Sequence, residues 1–203
     1  MSVQAIPTVV LASESATRMA LLRAAGLQVR SEPSHIDEAE VKAACRRDGL
    51  DAPACASVLA EAKAGIVSRR RSGALVVGAD QMLVCGSRWF DKPESLAEAR
   101  DHLLTLRGRE HELITAVCVL ADGEVLWRHL ARPRLTMRSF SNAFLDTYLD
   151  RAGSDVCNSV GGYRLEGLGA QLFTHVEGDL FAILGLPLLP LLDFLRSYGA
   201  VPT

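Results

Sequence analysis

Val9-Val10-Leu11-Ala12-Ser13-Glu14-Ser15-Ala16-Thr17-Arg18 reads as a β-branched strand that passes through a pair of serines directly into a helix. The pattern predicts a strand over Thr8–Ala12 and a helix over Ala16–Ala25, with Met19, Leu22 and Ala25 on an apolar face beside Leu21, and Gly26 as the stop. A strand delivered straight into a helix start leaves backbone N–H groups and hydroxyls at a positive helix end, where anions bind. Arg18, one turn into the helix, can fold back to grip the same anion bidentately. The plainer reading of these residues is a serine N-cap with Arg18 in solvent.

Outward from this unit, strands and helices alternate. Leu27–Arg30 reads as a strand and Ser31–Asp37, with Pro33, as a loop. Helices over Glu38–Arg47 and Ala54–Arg70 are separated by Gly49 and Pro53. Ala74–Ala79 is a continuous apolar strand ending at Asp80-Gln81, and Met82–Cys85 pairs with Arg88–Phe90 through Gly86-Ser87. Pro93 and Glu94 open a helix to about Leu106. Glu110–Leu120 and Glu124–Met137 form a hairpin around Asp122-Gly123, with Pro133 marking the second strand as an edge. Ser141 caps a helix to about Arg151, Gly161–Gly169 is a glycine-rich turn region, Gln171–Val176 a strand and Leu186–Tyr198 a last helix. This intermixing predicts an α/β fold with a mixed twisted sheet flanked by helices, in one domain over residues 1–203.

Composition excludes several classes. The 203 residues are 49% hydrophobic and 23% charged, enough for a real core and unlike a disordered chain. Lys plus Arg number 22 against 24 Asp plus Glu, so a net charge of −2 provides no general field for a nucleic acid polymer. Cys45, Cys55, Cys85, Cys118 and Cys157 show no metal-ligand spacing and read as reduced thiols of a cytoplasmic protein. Met1–Pro7 has no basic signal region, and the apolar stretch Leu180–Leu195 is broken by Pro187, Pro190 and Asp193, so no membrane association is expected.

Five features carry chemistry. Besides Ser13, Ser15 and Arg18 these are the adjacent acids Asp37-Glu38, Lys63 in Leu59-Ala60-Glu61-Ala62-Lys63-Ala64, Asp80 after a buried strand, and Lys92 held before Pro93. An acid at the end of a buried strand sits at the sheet's carboxyl edge, where α/β proteins place ligands. Taken together they suit a phosphoanhydride, which needs cations on its oxygens, carboxylates for a divalent metal and a base to orient water. Each has a bland alternative as a cap or a solvated charge. Arg69-Arg70-Arg71 reads as a solvated helix end, His102 as a helix-surface residue, and Trp89 and Trp127 as core or interface residues.

Val10-Leu11-Ala12-Ser13-Glu14-Ser15-Ala16-Thr17-Arg18 resembles the opening signature of the Maf (septum-formation-inhibitor-like) nucleotide pyrophosphatases. Ile36-Asp37-Glu38, Ala60-Glu61-Ala62-Lys63-Ala64, Gly78-Ala79-Asp80-Gln81, Lys92-Pro93, Leu106–His111, and Glu177-Gly178-Asp179 with Gly185-Leu186-Pro187-Leu188 follow in that family's order. The resemblance implies two lobes around a cleft, a fold related to inosine triphosphate pyrophosphatases. It also implies a cytoplasmic house-cleaning homodimer that hydrolyses nucleoside triphosphates to the monophosphate and pyrophosphate with Mg²⁺ or Mn²⁺. It implies catalytic roles for Asp80, Lys63 and Lys92, a metal on Glu38 and Asp80, and substrate contacts from Ser13, Ser15, Arg18, Thr17, Gln81 and Glu166. Ala16-Thr17 departs from the family's Pro-Arg, and Ala116 from a common glycine. Gln81 and Glu166 depart from the branch preferring dTTP and UTP and look like the 7-methyl-GTP branch. A 7-methyl-GTP-selective enzyme and a non-catalytic nucleotide-binding regulator of cell division are the rival expectations.

Overall fold

Short β-branched runs that find parallel neighbours form the start of the fold. A computed structural model describes residues 7–202; Met1–Ile6, which entered the reading of the N-terminus, lie outside the described residues. β1 (Val9–Leu11) pairs in parallel with β2 (Val29–Ser31) on one side and with β3 (Leu75–Cys85) on the other. Among the described residues eight strands make one mixed sheet in the order β2-β1-β3-β5-β7-β8, with β4 added to β3 and β6 to β5, and the fold is α/β as expected. Two compact units divide the chain: one runs to Asp80 and includes Thr115–Ala131 and the stretch from Gly185, and the other is Gln81–Ile114 with Arg132–Leu184.

In the first unit, α1 (Ala16–Ala24), α2 (Glu38–Arg47) and α3 (Ala52–Arg70) begin on Ser15, Asp37 and Asp51, each side chain accepting a backbone N–H of its own first turn. Pro53 lies inside the first turn of α3 and not before it, because a proline there removes only an N–H that has no helical partner. α3 lies hard against β3. A Cβ at Gly78 would stand 2.2 Å from the Ala60 carbonyl oxygen and 2.7 Å from the Ala64 Cβ, so only glycine fits. β5 (Glu110–Ala121) turns through Asp122 (φ 47°) and Gly123 (φ 87°) into β6 (Glu124–Ala131), the Asp-Gly hairpin that the sequence predicts. Trp127 stacks on Phe194 of α7 (Leu188–Ser197) at 5.4 Å between ring centres, a packing role as expected. Arg69, Arg70 and Arg71 are exposed at the end of α3.

In the second unit, β3 continues to Cys85 and turns at Gly86 (φ 61°) into β4 (Arg88–Phe90), with Cys85 opposite Arg88. Ser95 caps α4 (Leu96–Leu106), so this helix begins after Pro93-Glu94, where a serine side chain accepts the Glu98 N–H. The return strand breaks at Arg132-Pro133 and resumes as β7 (Arg134–Met137), which pairs with β5 on one side and β8 (Phe173–Glu177) on the other. Pro133 therefore marks an interruption, and the strand after it is not an edge. α5 (Asn142–Ala152) starts on Ser141 as expected, tight turns fill residues 153–172, and α6 (Leu180–Ile183) is a short helix that the sequence reading did not separate.

The second unit's core gathers Leu83, Phe90, Leu103, Leu106, Leu135 and Tyr163. His102 is buried at 4% exposure, edge-on to Phe90 at 5.1 Å, and not on the surface as its sequence setting suggested. Ala99, His102, Leu103 and Leu106 recur at helical spacing and turn inward together. His111 is buried at 2% exposure with Nε2 2.7 Å from the Tyr163 hydroxyl. All five cysteines are free thiols, and among the described residues no helix is long and apolar enough to cross a membrane.

Two outcomes follow from this packing. Gly78→Ala should lose about 3 kcal/mol in urea denaturation, because the backbone of α3 cannot withdraw without opening the core. Burial lowers the His111 pKa to about 4, so the folded protein keeps this imidazole neutral while the unfolded chain takes up a proton below its ordinary 6.5. This stability is complete above pH 6.5 and erodes as pH falls towards 4, by about 3 kcal/mol in total. Replacing His111 by Phe should flatten that part of the stability–pH curve.

Candidate functional site

Asp80 lies in the middle of β3 and not after its end, as the local pattern had suggested. The two strands expected on either side of Asp80-Gln81 are one strand, whose second half pairs with β4 as the sequence predicts. The parallel pairing with β1 stops at Val77, where the Ala12 N–H donates to the Val77 carbonyl. Asp80 thus still stands beyond the carboxyl end of the parallel strands, where ligands are met.

Lys63, midway along α3, is brought to it by the close contact at Gly78. Its Nζ lies 2.6 Å from Asp80 Oδ1 and 2.7 Å from Glu38 Oε1, with the Lys63 and Asp80 side chains buried and Glu38 48% exposed. The two acids before α2 divide their work. Asp37 Oδ1 accepts the Glu40 N–H and starts the helix, while Glu38 in its first turn reaches Lys63. Asp80 Oδ2 is buried and has no hydrogen-bond partner among the described residues. An ionised pair at such depth holds only because each charge neutralises the other.

At the start of α1, Ser15 Oγ accepts the Arg18 N–H (3.3 Å), and Ser13 Oγ accepts both the Ser15 N–H (3.2 Å) and Arg18 Nη1 (3.2 Å). Ser31 Oγ donates to the Ser13 carbonyl at 2.7 Å, a support that the sequence reading missed. Arg18 is only 9% exposed, so the solvated alternative is overturned. Its Nε donates to the Gly185 carbonyl (2.7 Å) and Nη1 to the Ala79 carbonyl (2.9 Å). Burial pulls its pKa down, while the fields of Asp80 and Glu38 act in the opposite direction. Thr17 is half-buried next to it. Ser13, Ser15, Arg18, Glu38, Lys63 and Asp80 all belong to the first unit.

Gln81, Lys92 and Glu166 belong to the second unit, in three separate settings. Gln81 Nε2 donates to the carbonyls of Ala182 (2.9 Å) and Ile183 (3.1 Å), so its amide holds the end of α6. Lys92 is exposed beside buried Pro93, and Glu166 Oε1 accepts from Arg164 Nε at 2.9 Å. The glycine and acid of Gly178-Asp179 also acquire local roles. Asp179 caps α6 through the Phe181 and Ala182 N–H groups, and Gly178, at φ 111°, approaches Pro133 so closely that a Cβ would lie 2.9 Å from its Cα.

Among the described residues no group of three or more His, Cys, Asp or Glu side chains could hold a metal. Two carboxylates with an unpartnered buried oxygen on Asp80 nevertheless fit a hard divalent cation, which commonly takes one or two protein carboxylates and completes its shell from phosphate oxygens and water. Chemically the first unit offers carboxylates, a buried ammonium and a helix start to a polyanion.

A family model described as Maf-like protein matches residues 8–198. The chain is 53% identical to a nucleoside triphosphate pyrophosphatase of Rhodospirillum rubrum, with 97% of each chain covered. It is 49% identical to a nucleoside triphosphate pyrophosphatase of Hyphomonas neptunium, over 96% of this chain and 98% of the relative. It is also 47% identical to a 7-methyl-GTP pyrophosphatase of Mesorhizobium japonicum, over 95% and 97% respectively.

Lys63→Met should cost about 3 to 5 kcal/mol in chemical denaturation, since it leaves the Asp80 carboxylate buried without its counter-charge. Adding Asp80→Asn to that variant should recover part of the loss, and strict additivity of the two changes would contradict the coupling.

Proposed function

The chain belongs to the Maf family, and we propose that it is a nucleoside triphosphate pyrophosphatase in which Asp80 is the reacting carboxylate. The observation that carries this reading is the buried Oδ2 of Asp80, without a partner among the described residues and held in place by the ion pair of its other oxygen with Lys63. The triphosphate meets the first turn of α1, where N–H groups without helical partners and the hydroxyls of Ser13 and Ser15 face negative charge. Asp80 Oδ2 accepts a proton from a water whose oxygen bonds to the α-phosphorus. The bond from that phosphorus to the bridging oxygen breaks, and pyrophosphate leaves with the electron pair. Lys63 supplies positive charge beside the reacting carboxylate, and Lys92 is assigned to the leaving pyrophosphate from the family resemblance alone. Glu38 and Asp80 are the residues that would hold Mg²⁺ or Mn²⁺, which when bound neutralises phosphate charge.

The substrate reading covers common and modified nucleoside triphosphates. The specific alternative, selectivity for 7-methyl-GTP, is supported by Gln81 and Glu166 at the branch-distinguishing positions and by relatives of that name. The cytoplasmic homodimer remains part of the proposal on the same family resemblance.

Purified protein with Mg²⁺ or Mn²⁺ and a panel of triphosphates, 7-methyl-GTP included, should release pyrophosphate and the monophosphate, and a chelator should stop it. Asp80→Asn should lower kcat by about 10³-fold while the circular dichroism spectrum is kept. Orthophosphate as product would assign a different hydrolase, and turnover retained by Asp80→Asn would remove the role given to Asp80.

A further inference from the structure

Arg18 is buried, yet among the described residues the three hydrogen bonds of its side chain end on neutral acceptors: two main-chain carbonyls and one hydroxyl. A buried guanidinium used as an anion ligand would be expected to keep its fork open. Here Nε and Nη1 are committed to the protein itself, and the Gly185 backbone packs on the Nε side of the group, its carbonyl accepting from Nε. Gly185 stands at φ 97°, and a Cβ there would meet Arg18 Nε at 3.4 Å and Nη2 at 3.7 Å. One of the acceptors is the carbonyl of Ala79, which shares a rigid peptide plane with the N–H of Asp80. A second is Ser13 Oγ, whose other contact orders the turn into α1.

We propose that Arg18 is a positioning residue for Asp80, acting through the Ala79–Asp80 peptide plane and the Gly185 carbonyl, and not chiefly a ligand of the triphosphate. The proposal rests on the reading of Asp80 as the reacting carboxylate. The planar fork of arginine is required because three acceptors in different directions are met from two adjacent nitrogens, which a single lysine ammonium cannot reproduce. Loss of the fork releases the peptide plane at Asp80, and small displacements of a reacting group cost about 10²-fold in rate.

The test separates rate from affinity. Arg18→Lys keeps the charge and removes the fork. It should lower kcat of pyrophosphate release about 100-fold while KM, and the Kd of a non-hydrolysable triphosphate analogue by calorimetry, change by less than about 3-fold. Added guanidinium ion should restore part of kcat in Arg18→Ala. Gly185→Ala provides a second variant that retains Arg18 and disturbs its seat, and it should show the same fall in kcat with unchanged analogue affinity. A rise of about 30-fold or more in KM and analogue Kd with kcat preserved in Arg18→Lys would make Arg18 a phosphate ligand and overturn the proposal. Amide hydrogen exchange at Asp80 and Gln81 reads the positioning without turnover: Arg18→Lys should accelerate it, and unchanged exchange would also overturn the proposal. If the unaltered protein released no pyrophosphate, the functional reading would fail separately from this exchange result.

Discussion

A side chain at position 78 has no room, and the chemistry of the first unit depends on that. Because β3 presents only hydrogen to α3 at Gly78, the backbones approach until Ala60 and Ala64 touch the strand. Lys63 is carried by the same stretch of helix, and Asp80 lies two residues along the same strand and therefore on the same sheet face. Their ion pair at 2.6 Å is the result. A larger residue at 78 would move the ammonium off the carboxylate as surely as it would open the core.

Two buried cations are handled differently. Lys63 meets carboxylates directly and neutralises them, so its removal exposes a charge in a place where water cannot solvate it. Among the described residues the Arg18 side chain hydrogen-bonds only carbonyls and a hydroxyl, with the fields of Asp80 and Glu38 offsetting part of its desolvation. The first arrangement orients an acid by charge, the second orients a backbone by geometry. Both converge on Asp80, whose second oxygen is left without a partner among the described residues.

The candidate residues were legible because their chemistry is local: a serine turn between strand and helix, an acid in an apolar run, a lysine in an alanine-rich helix. Their partners were not. Nothing near Arg18 in the chain announces the carbonyl of Gly185, and nothing near Gln81 announces those of Ala182 and Ile183. Main-chain acceptors carry no residue identity, so sequence spacing cannot mark them. The extent of β3 differs for a related reason: the reading splits it at Asp80-Gln81 into Ala74–Ala79 and Met82–Cys85, since two polar residues look like a break. The pairing of the second half with β4 is as expected, but the two halves are one strand. His102, read as a helix-surface residue, is instead turned inward by the apolar face of α4.

By itself the sequence determined the alternation of strands and helices, the cap at Ser141, the Asp-Gly hairpin, and the membership of a family whose motifs run in order along the chain. These follow from interactions within a few residues, which composition and period record. Tertiary structure alone decided that Glu38, Lys63 and Asp80 meet, that Arg18 faces inward onto carbonyls, and that Asp80 sits in mid-strand. Those outcomes depend on how closely a helix can approach a sheet and on which distant backbone groups then come within 3 Å, and no local pattern encodes either distance.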